Sequence, residues 1–439
     1  MESGLVALII TGAMLVLYIT ELLPIAVTSV LACVAMAVAG ILPPADAFAG
    51  FGNDIVFMLA GMMIVGASLF ETGAAGVIGG RIVALVGKNE RGFLAAFIVF
   101  SIPFSAFLSN TATASILLPV VASAVAASGG KLTRKNTYMT VGIACVAGGG
   151  LTLVSSTPQL IAQGLLREGG YETIGFFEPG YTGLPILALL IIYMVTIGFK
   201  LQKRAFAIPE NTAGEVLREP ESGDNIPISP KTGGAAGSGR RGRFRLCVSL
   251  GVLVLCVVGF ITGIWPPGVV SMFGALVCIA TGCLPRKKVF EKIDWTTIVL
   301  LGCSFSIASG LDESGGGRII ARGMIALLGD GVSPWMLFAS LALVAVILTN
   351  FMSSTATGAL LAPIAILTAV EMGYDAKSAA LAVAIAANVG YATPISTPPM
   401  AMTLTAGYRF RDYIKVGGLF NLLAYILLVL LMPLTLRIH

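Results

Sequence analysis

Two short strings hold a dense set of hydrogen-bonding side chains in an otherwise apolar chain. "LSNTATASILLPV" at 108–120 carries Ser109, Asn110, Thr111 and Thr113, and "MSSTATGALLAPI" at 352–364 carries Ser353, Ser354, Thr355 and Thr357. A second pair follows each of them: "SSTP" at 155–158 and "ISTP" at 395–398. Pro158 and Pro398 each remove a backbone donor, and "AGGG" (147–150) and "NVGYATP" (388–394) soften the helix upstream. Helices broken in this way expose free N–H groups at one end and free carbonyls at the other. N-terminal ends favour an anion. Hydroxyl, amide and freed carbonyl oxygens suit a hard cation such as sodium. No Lys, Arg, Asp, Glu or His lies in the four strings, and the only histidine is His439. An anion would therefore be held by dipoles and hydroxyls. A proton-coupled carrier usually keeps an ionisable group in its path, so the pattern favours sodium coupling or anion exchange.

The elements around these strings must be membrane helices. The chain is 56% hydrophobic and only 11% charged, with a mean hydropathy of +0.94. A soluble domain carries about 25% charged residues. Apolar stretches recur through both halves, and a span needs about 20 apolar residues. The polar strings pair in order: Ser109 with Ser353, "ETG" (71–73) with "ESG" (313–315), and Ser156–Pro158 with Ser396–Pro398. Three matches in order point to an internal repeat.

Residues 1–208 read as a first membrane repeat, 209–243 as a flexible cytoplasmic linker, and 244–439 as a second repeat. The apolar stretches at about 93–128 and 335–371 are too long for one span and have polar middles, broken at Pro119 or Pro363. A re-entrant hairpin fits each. About five transmembrane helices then remain per repeat, and an odd number inverts the second copy relative to the first. The expected fold is an all-α polytopic membrane protein of two inverted repeats, with broken helices at the midplane. With the linker in the cytoplasm, most Lys and Arg fall inside and both termini fall outside; Arg167, Arg318, Arg322, Lys377 and Arg437 are the external exceptions.

Other function classes lack their residues. No HExxH, GxSxG with a histidine, or paired-Asp motif sits in a span, so no enzyme is expected. "GGGR" (315–318) lacks the GK[ST] of a phosphate loop. The seven cysteines show no metal-ligand spacing, and no organic cofactor is expected. The net charge of +5 is spread over loops and reads as topology rather than nucleic-acid binding. Glu71 and Glu313 sit at expected span ends, where solvated or interfacial roles fit. Trp265, Trp295 and Trp335 read as interfacial anchors in the lipid bilayer.

At the duplicated Ser-Asn-Thr and Thr-Pro strings the chain resembles the divalent-anion/sodium symporter (DASS) family of the ion transporter superfamily. The likeness covers roughly 5–199 and 245–436. It implies a homodimer of elevator-type carriers in a bacterial inner membrane, moving dicarboxylates, citrate or sulfate, mostly with sodium ions. Carried over by motif, one sodium site would involve Ser105, Ser109, Asn110 and the backbone at Ser156. The other would involve Thr349, Ser353, Ser354 and the backbone at Ser396. The small anionic substrate would meet Asn110, Thr111, Thr157 and Pro158, and across the repeat Ser354, Thr355, Thr397 and Pro398. Three departures mark a divergent member. Ser354 stands where the family has a second Asn, which removes an amide. Gln159 replaces the Asn that usually follows Thr-Pro-Pro, with no second Pro, and Met400 replaces it in the second copy. The resemblance implies a sodium-coupled dicarboxylate carrier first, then a sulfate or other small-anion permease or an anion exchanger. A superfamily antiporter or efflux carrier would want an acidic residue in the hairpins, which this sequence lacks.

Overall fold

The computed structural model describes residues 2–20, 22–72, 90–127, 132–205, 240–317, 319, 323 and 332–436. Among them the chain is helical and without strands. The first half runs α1 (Glu2–Thr20), α2 (Ile25–Val38), α3 (Asp54–Glu71), α4 (Glu90–Phe107), α5 (Asn110–Ala127), α6 (Arg134–Gly148), α7 (Thr157–Glu168), α8 (Gly180–Val195) and α9 (Ile197–Ala205). The second half runs α10 (Arg240–Thr262), α11 (Pro267–Ala280), α12 (Trp295–Glu313), α13 (Pro334–Thr349), α14 (Ser354–Glu371), α15 (Ala376–Ala387), α16 (Pro398–Met402) and α17 (Phe410–Thr435).

The helix starts show why the sequence folds twice in one order. Pro24 and Pro266 precede α2 and α11. Asn53 and Asp294 accept from the N–H groups of Ile55 and Thr297 at the start of α3 and α12. Ser109 and Ser353 accept from Ala112 and Ala356 in α5 and α14, at 3.3 and 3.1 Å. Thr133 and Asp375 cap α6 and α15. Each cap satisfies an N–H that the first helical turn leaves open.

Among the described residues six helices are long and apolar enough to cross a membrane, or seven if α8 and α9, bent by 48°, form one span. Helices α2 and α11 have 14 residues each, about 21 Å against the roughly 30 Å of a bilayer core. The expected five spans per copy is reached only by counting such shorter apolar helices as well. Helix α10 is largely exposed, and Val254, Val258 and Ile261 stand out from it. Such a surface belongs in lipid or against another apolar surface rather than in water. Most of the expected linker, 209–239, lies outside the described residues; its last four positions, 240–243, belong to α10.

Both long apolar stretches are helix pairs broken at their polar tips, 108–109 and 350–353. Pro119 and Pro363 do not make these breaks, as the sequence suggested. They lie inside α5 and α14. Pro363 is buried and Pro119 exposed; a proline within a membrane helix removes one donor, and the helix can be carried through where the freed groups are re-satisfied.

Close packing locks the two halves together around the breaks. Pro158, at the start of α7, lies on Gly358 of α14, where a Cβ would come within 2.7 Å of the ring. The Pro399 carbonyl in α16 lies over Gly142 of α6, 3.3 Å from where a Cβ would be. Helices α8 and α17 press on the two broken segments. A Cβ at Gly183 would meet the Gly150 carbonyl oxygen at 2.3 Å, and one at Gly417 would meet that of Tyr391 at 1.8 Å. Only glycine permits backbones to approach this closely.

Candidate functional site

In the first copy the end of α4, the start of α5 and the break after α6 converge. Ser105 is fully buried, and its hydroxyl donates to the Cys145 carbonyl and, at 3.3 Å, to Asn110 Oδ1. The Asn110 amide lies over Gly149, where a Cβ would sit 2.3 Å from Oδ1 and 2.6 Å from Nδ2. The break itself is tied down by Ser155, which donates to the Gly149 carbonyl at 2.6 Å and the Thr152 carbonyl at 2.8 Å. Thr152 donates to the Ala106 carbonyl and so pins the break to the hairpin.

The second copy repeats this wiring. Thr349 donates to the Ala387 carbonyl at 2.7 Å, as Ser105 does to Cys145. Thr393 donates to the Asn350 carbonyl at 2.8 Å, as Thr152 does to Ala106. Ser396 donates to the carbonyls of Gly390 and, at 3.0 Å, Thr393. These bonds correct the register read from the repeated "STP". Ser396 stands where Ser155 stands, and Thr397 precedes α16 as Ser156 precedes α7. Thr157 then pairs with Pro398, and the buried Pro158 with the buried Pro399. The letter match slips by one because copy two has two prolines where copy one has Thr-Pro.

At the second tip the Ser354 N–H donates to the Ser396 carbonyl at 2.9 Å, so hairpin and break are joined through backbone. That carbonyl was an expected cation ligand. Thr111, Thr355 and Thr157 are half-buried one position beyond Asn110, Ser354 and Ser156, while Pro398 is exposed.

Sequence reasoning missed two asparagines, of which Asn388 joins the halves and Asn350 works within the second. Ser156 donates to Asn388 Oδ1 at 2.6 Å across the repeats, and Asn388 Nδ2 donates to the Ala384 carbonyl at 3.1 Å. Asn350 Oδ1 accepts from the Ala392 N–H at 3.1 Å and steadies the second break. Both asparagines stood in the quoted strings or beside them. Nothing in one sequence told their amides apart from a softened helix end.

Two features of the centre can do chemistry. Neither Ser156 nor Thr397 caps its own helix, unlike the serines that cap α5 and α14; α7 therefore begins with uncapped N–H groups, whereas α16 begins with two prolines that have none and its Met400 N–H donates to the Thr397 carbonyl at 3.0 Å. Several buried polar atoms also lack a protein partner: Thr113 Oγ1, Thr397 Oγ1 and both amide atoms of Gln159. Each such group costs about 1–3 kcal/mol unless something else satisfies it. Among the described residues no three His, Cys, Asp or Glu side chains gather to hold a metal ion. A cation here would meet neutral oxygens, as in sodium sites of carriers.

Charge sits at the rim. Arg167 at the end of α7 pairs with Asp54 Oδ2 at 2.8 Å, and Asp54 Oδ1 accepts from the Gly268 N–H at 2.9 Å. Asn53 donates to Glu168 at 2.7 Å. Burial raises the Glu168 carboxyl above its usual range, against the opposing pull of that hydrogen bond. Glu71 pairs with Lys288 at 2.8 Å, an interfacial role of the kind its position suggested. Lys377 pairs with Glu172 and Glu178 and ties α15 to the loop after α7.

The citrate transporter family (CitMHS) matches residues 15–386. An uncharacterized transporter of Haemophilus influenzae is 27% identical over 437 residues, covering 94% of this chain and 88% of that protein. The sodium-dependent dicarboxylate transporters SdcS of Staphylococcus saprophyticus and Staphylococcus aureus are 24% and 25% identical, covering 98% and 99% of this chain and 85% and 87% of theirs. The fold resembles the crystal structure of the YdaH transporter of Alcanivorax borkumensis, with a TM-score of 0.60 at 15% identity over 91% of this chain and 87% of that one. Helices fit to cross a bilayer, paired polar breaks and this match over most of the sequence agree: the chain is an integral membrane transporter and belongs to the citrate transporter family, as a divergent member of the divalent-anion/sodium symporter type.

Proposed function

We propose that this transporter carries a small divalent anion, a dicarboxylate first, together with sodium. The observation that carries the reading is the uncapped start of α7, packed on α14 through Pro158 and Gly358, with no charged side chain in any of the four strings. A helix start with free N–H groups holds a carboxylate without a cationic residue. The Ser105, Asn110 and Thr349 side chains and the Ser396 carbonyl supply oxygens of the kind sodium takes. The relatives named for sodium-dependent dicarboxylate transport support the same substrate class.

Sodium at the Ser105–Asn110 and Thr349–Ser354 ends would add positive charge beside the helix starts and so strengthen anion binding. Coupling then arises because the anion binds well only with the cations in place. The two copies are inverted, the site lies at their interface near the midplane, and the hairpins and broken helices move as one body past α2, α3, α11 and α12, in a homodimer. Residues 1–208 and 244–439 form the two repeats. The linker between them serves only as a tether.

Uptake of radiolabelled succinate into proteoliposomes tests this, with sodium replaced by potassium in parallel. Sodium-dependent uptake is expected. Uptake indifferent to sodium but driven by internal anion would make the protein an exchanger, and uptake of sulfate alone would make it an inorganic-anion permease.

A further inference from the structure

We infer that Gln159 reads a hydroxyl group on the transported anion, so that the site favours a 2-hydroxy dicarboxylate over its unhydroxylated analogue. The inference rests on the anion-binding reading given above.

Gln159 is fully buried, and neither its Nε2 nor its Oε1 has a partner. A glutamine one turn further along the same helix shows what a structural role requires. Gln163 donates to the Ile174 carbonyl at 3.2 Å and accepts from the Ile174 N–H at 2.7 Å. Both of its amide atoms are used, and neither of those of Gln159 is.

The place of Gln159 is equally specific. Ser156-Thr157-Pro158-Gln159 has the S-x-x-Q spacing of a capping box, in which the glutamine bonds back to the start of its helix. The box is not made. The Ser156 hydroxyl goes to Asn388, and the glutamine amide is left open. Side chains in a helix lean toward its N-terminus, so Gln159 lies over the uncapped first turn of α7, where the carboxylate is placed.

Packing does not demand the amide. In the register fixed by the Ser155 and Ser396 hydrogen bonds, the counterpart of Gln159 is Met400, which is also fully buried. Methionine is unbranched and similar in length, so this kind of site is filled by a thioether in one copy and holds an unpaired amide in the other. A carboxylate only accepts hydrogen bonds and would leave Oε1 open. A hydroxyl both donates and accepts and can satisfy the two amide atoms together. A substrate with a hydroxyl beside a carboxylate therefore fits the free helix N–H groups and Gln159 at once.

The test compares malate and succinate, which differ by one hydroxyl, as sodium-driven substrates of the full-length protein in proteoliposomes. Wild type is expected to favour malate. In Gln159→Met the kcat/KM for malate should fall about tenfold, with succinate nearly unchanged, the loss of a substrate hydrogen bond. Its melting temperature without substrate should not drop, since an unpaired buried amide is removed. Gln159→Leu makes the same comparison in a different shape should the methionine variant fail to reconstitute. A malate-to-succinate ratio unchanged from wild type in these variants, or a wild type that prefers succinate, overturns the inference alone. Wild-type vesicles that take up neither anion overturn the dicarboxylate reading and this inference with it.

Discussion

Replacing Gly149 by alanine adds one methyl group where the Asn110 amide now lies. The backbone there has φ −64° and ψ −11°, which any residue adopts, so the substitution carries no backbone strain. It even narrows the unfolded chain's freedom, a gain of about 0.4–1 kcal/mol. The conflict is between side chains only. The new carbon would sit 2.3 Å from Oδ1 and 2.6 Å from Nδ2, and uncrowded contact needs about 3.5 Å. The amide must therefore move by roughly 1 Å, away from its place beside the Ser105 hydroxyl. Losing that arrangement in a buried site costs about 1–3 kcal/mol, or roughly five- to a hundredfold in apparent affinity. The assay is initial uptake in proteoliposomes against sodium and against substrate, with melting in detergent as a folding check. Gly251→Ala is the control, because nothing lies within 4 Å of a Cβ there. A Gly149→Ala protein that melts like wild type and keeps its sodium and substrate dependence would refute the place given to Asn110.

Three further outcomes follow from the packing. Ser156→Ala and Asn388→Ala should each destabilise by about 1–3 kcal/mol, and the double variant by less than their sum; strict additivity in melting experiments would mean that the cross-repeat bond contributes nothing. Gly417→Ala should abolish folded protein, since its Cβ would lie 1.8 Å from the Tyr391 carbonyl oxygen and both sides are backbone; a normal monodisperse peak on gel filtration would contradict this. Replacing 212–236 with a shorter Gly/Ser tether should leave expression and uptake intact, and joint loss of both would show that the segment is structural.

The parts of the fold set by local chemistry were legible in the sequence. The polar strings at Ser109 and Ser353 marked the middles of two long apolar stretches, and both serines cap the helices that start there. Pro158 and Pro398, with glycines upstream, marked the two broken segments. The misreadings share one cause. Pro119 looked like a break because proline is a strong local signal, yet the helix runs on through it. "STP" matched "STP" by letter, whereas the hydroxyl-to-carbonyl bonds pair Ser155 with Ser396. Asn388 could not be found at all, because its partner Ser156 lies 232 residues away. Local signals give elements and their ends; which buried amide meets which hydroxyl is decided only when the helices pack.

That long-range bond also constrains how the molecule is made. Ser156 finds Asn388, and Pro158 finds Gly358, only after most of the second half has been synthesised. At about 5–20 residues per second, α7 waits roughly 10–50 s with its first turn open and its serine unpaired. The first half therefore enters the membrane with an unfinished polar interior and must be sheltered until the second arrives. Contacts this distant are slow to close, because the intervening loop entropy is lost before any contact rewards it. Assembly of the site, rather than formation of any single helix, is then the slow step of folding, and truncation after the first repeat leaves a membrane segment whose exposed break is a ready target for quality control.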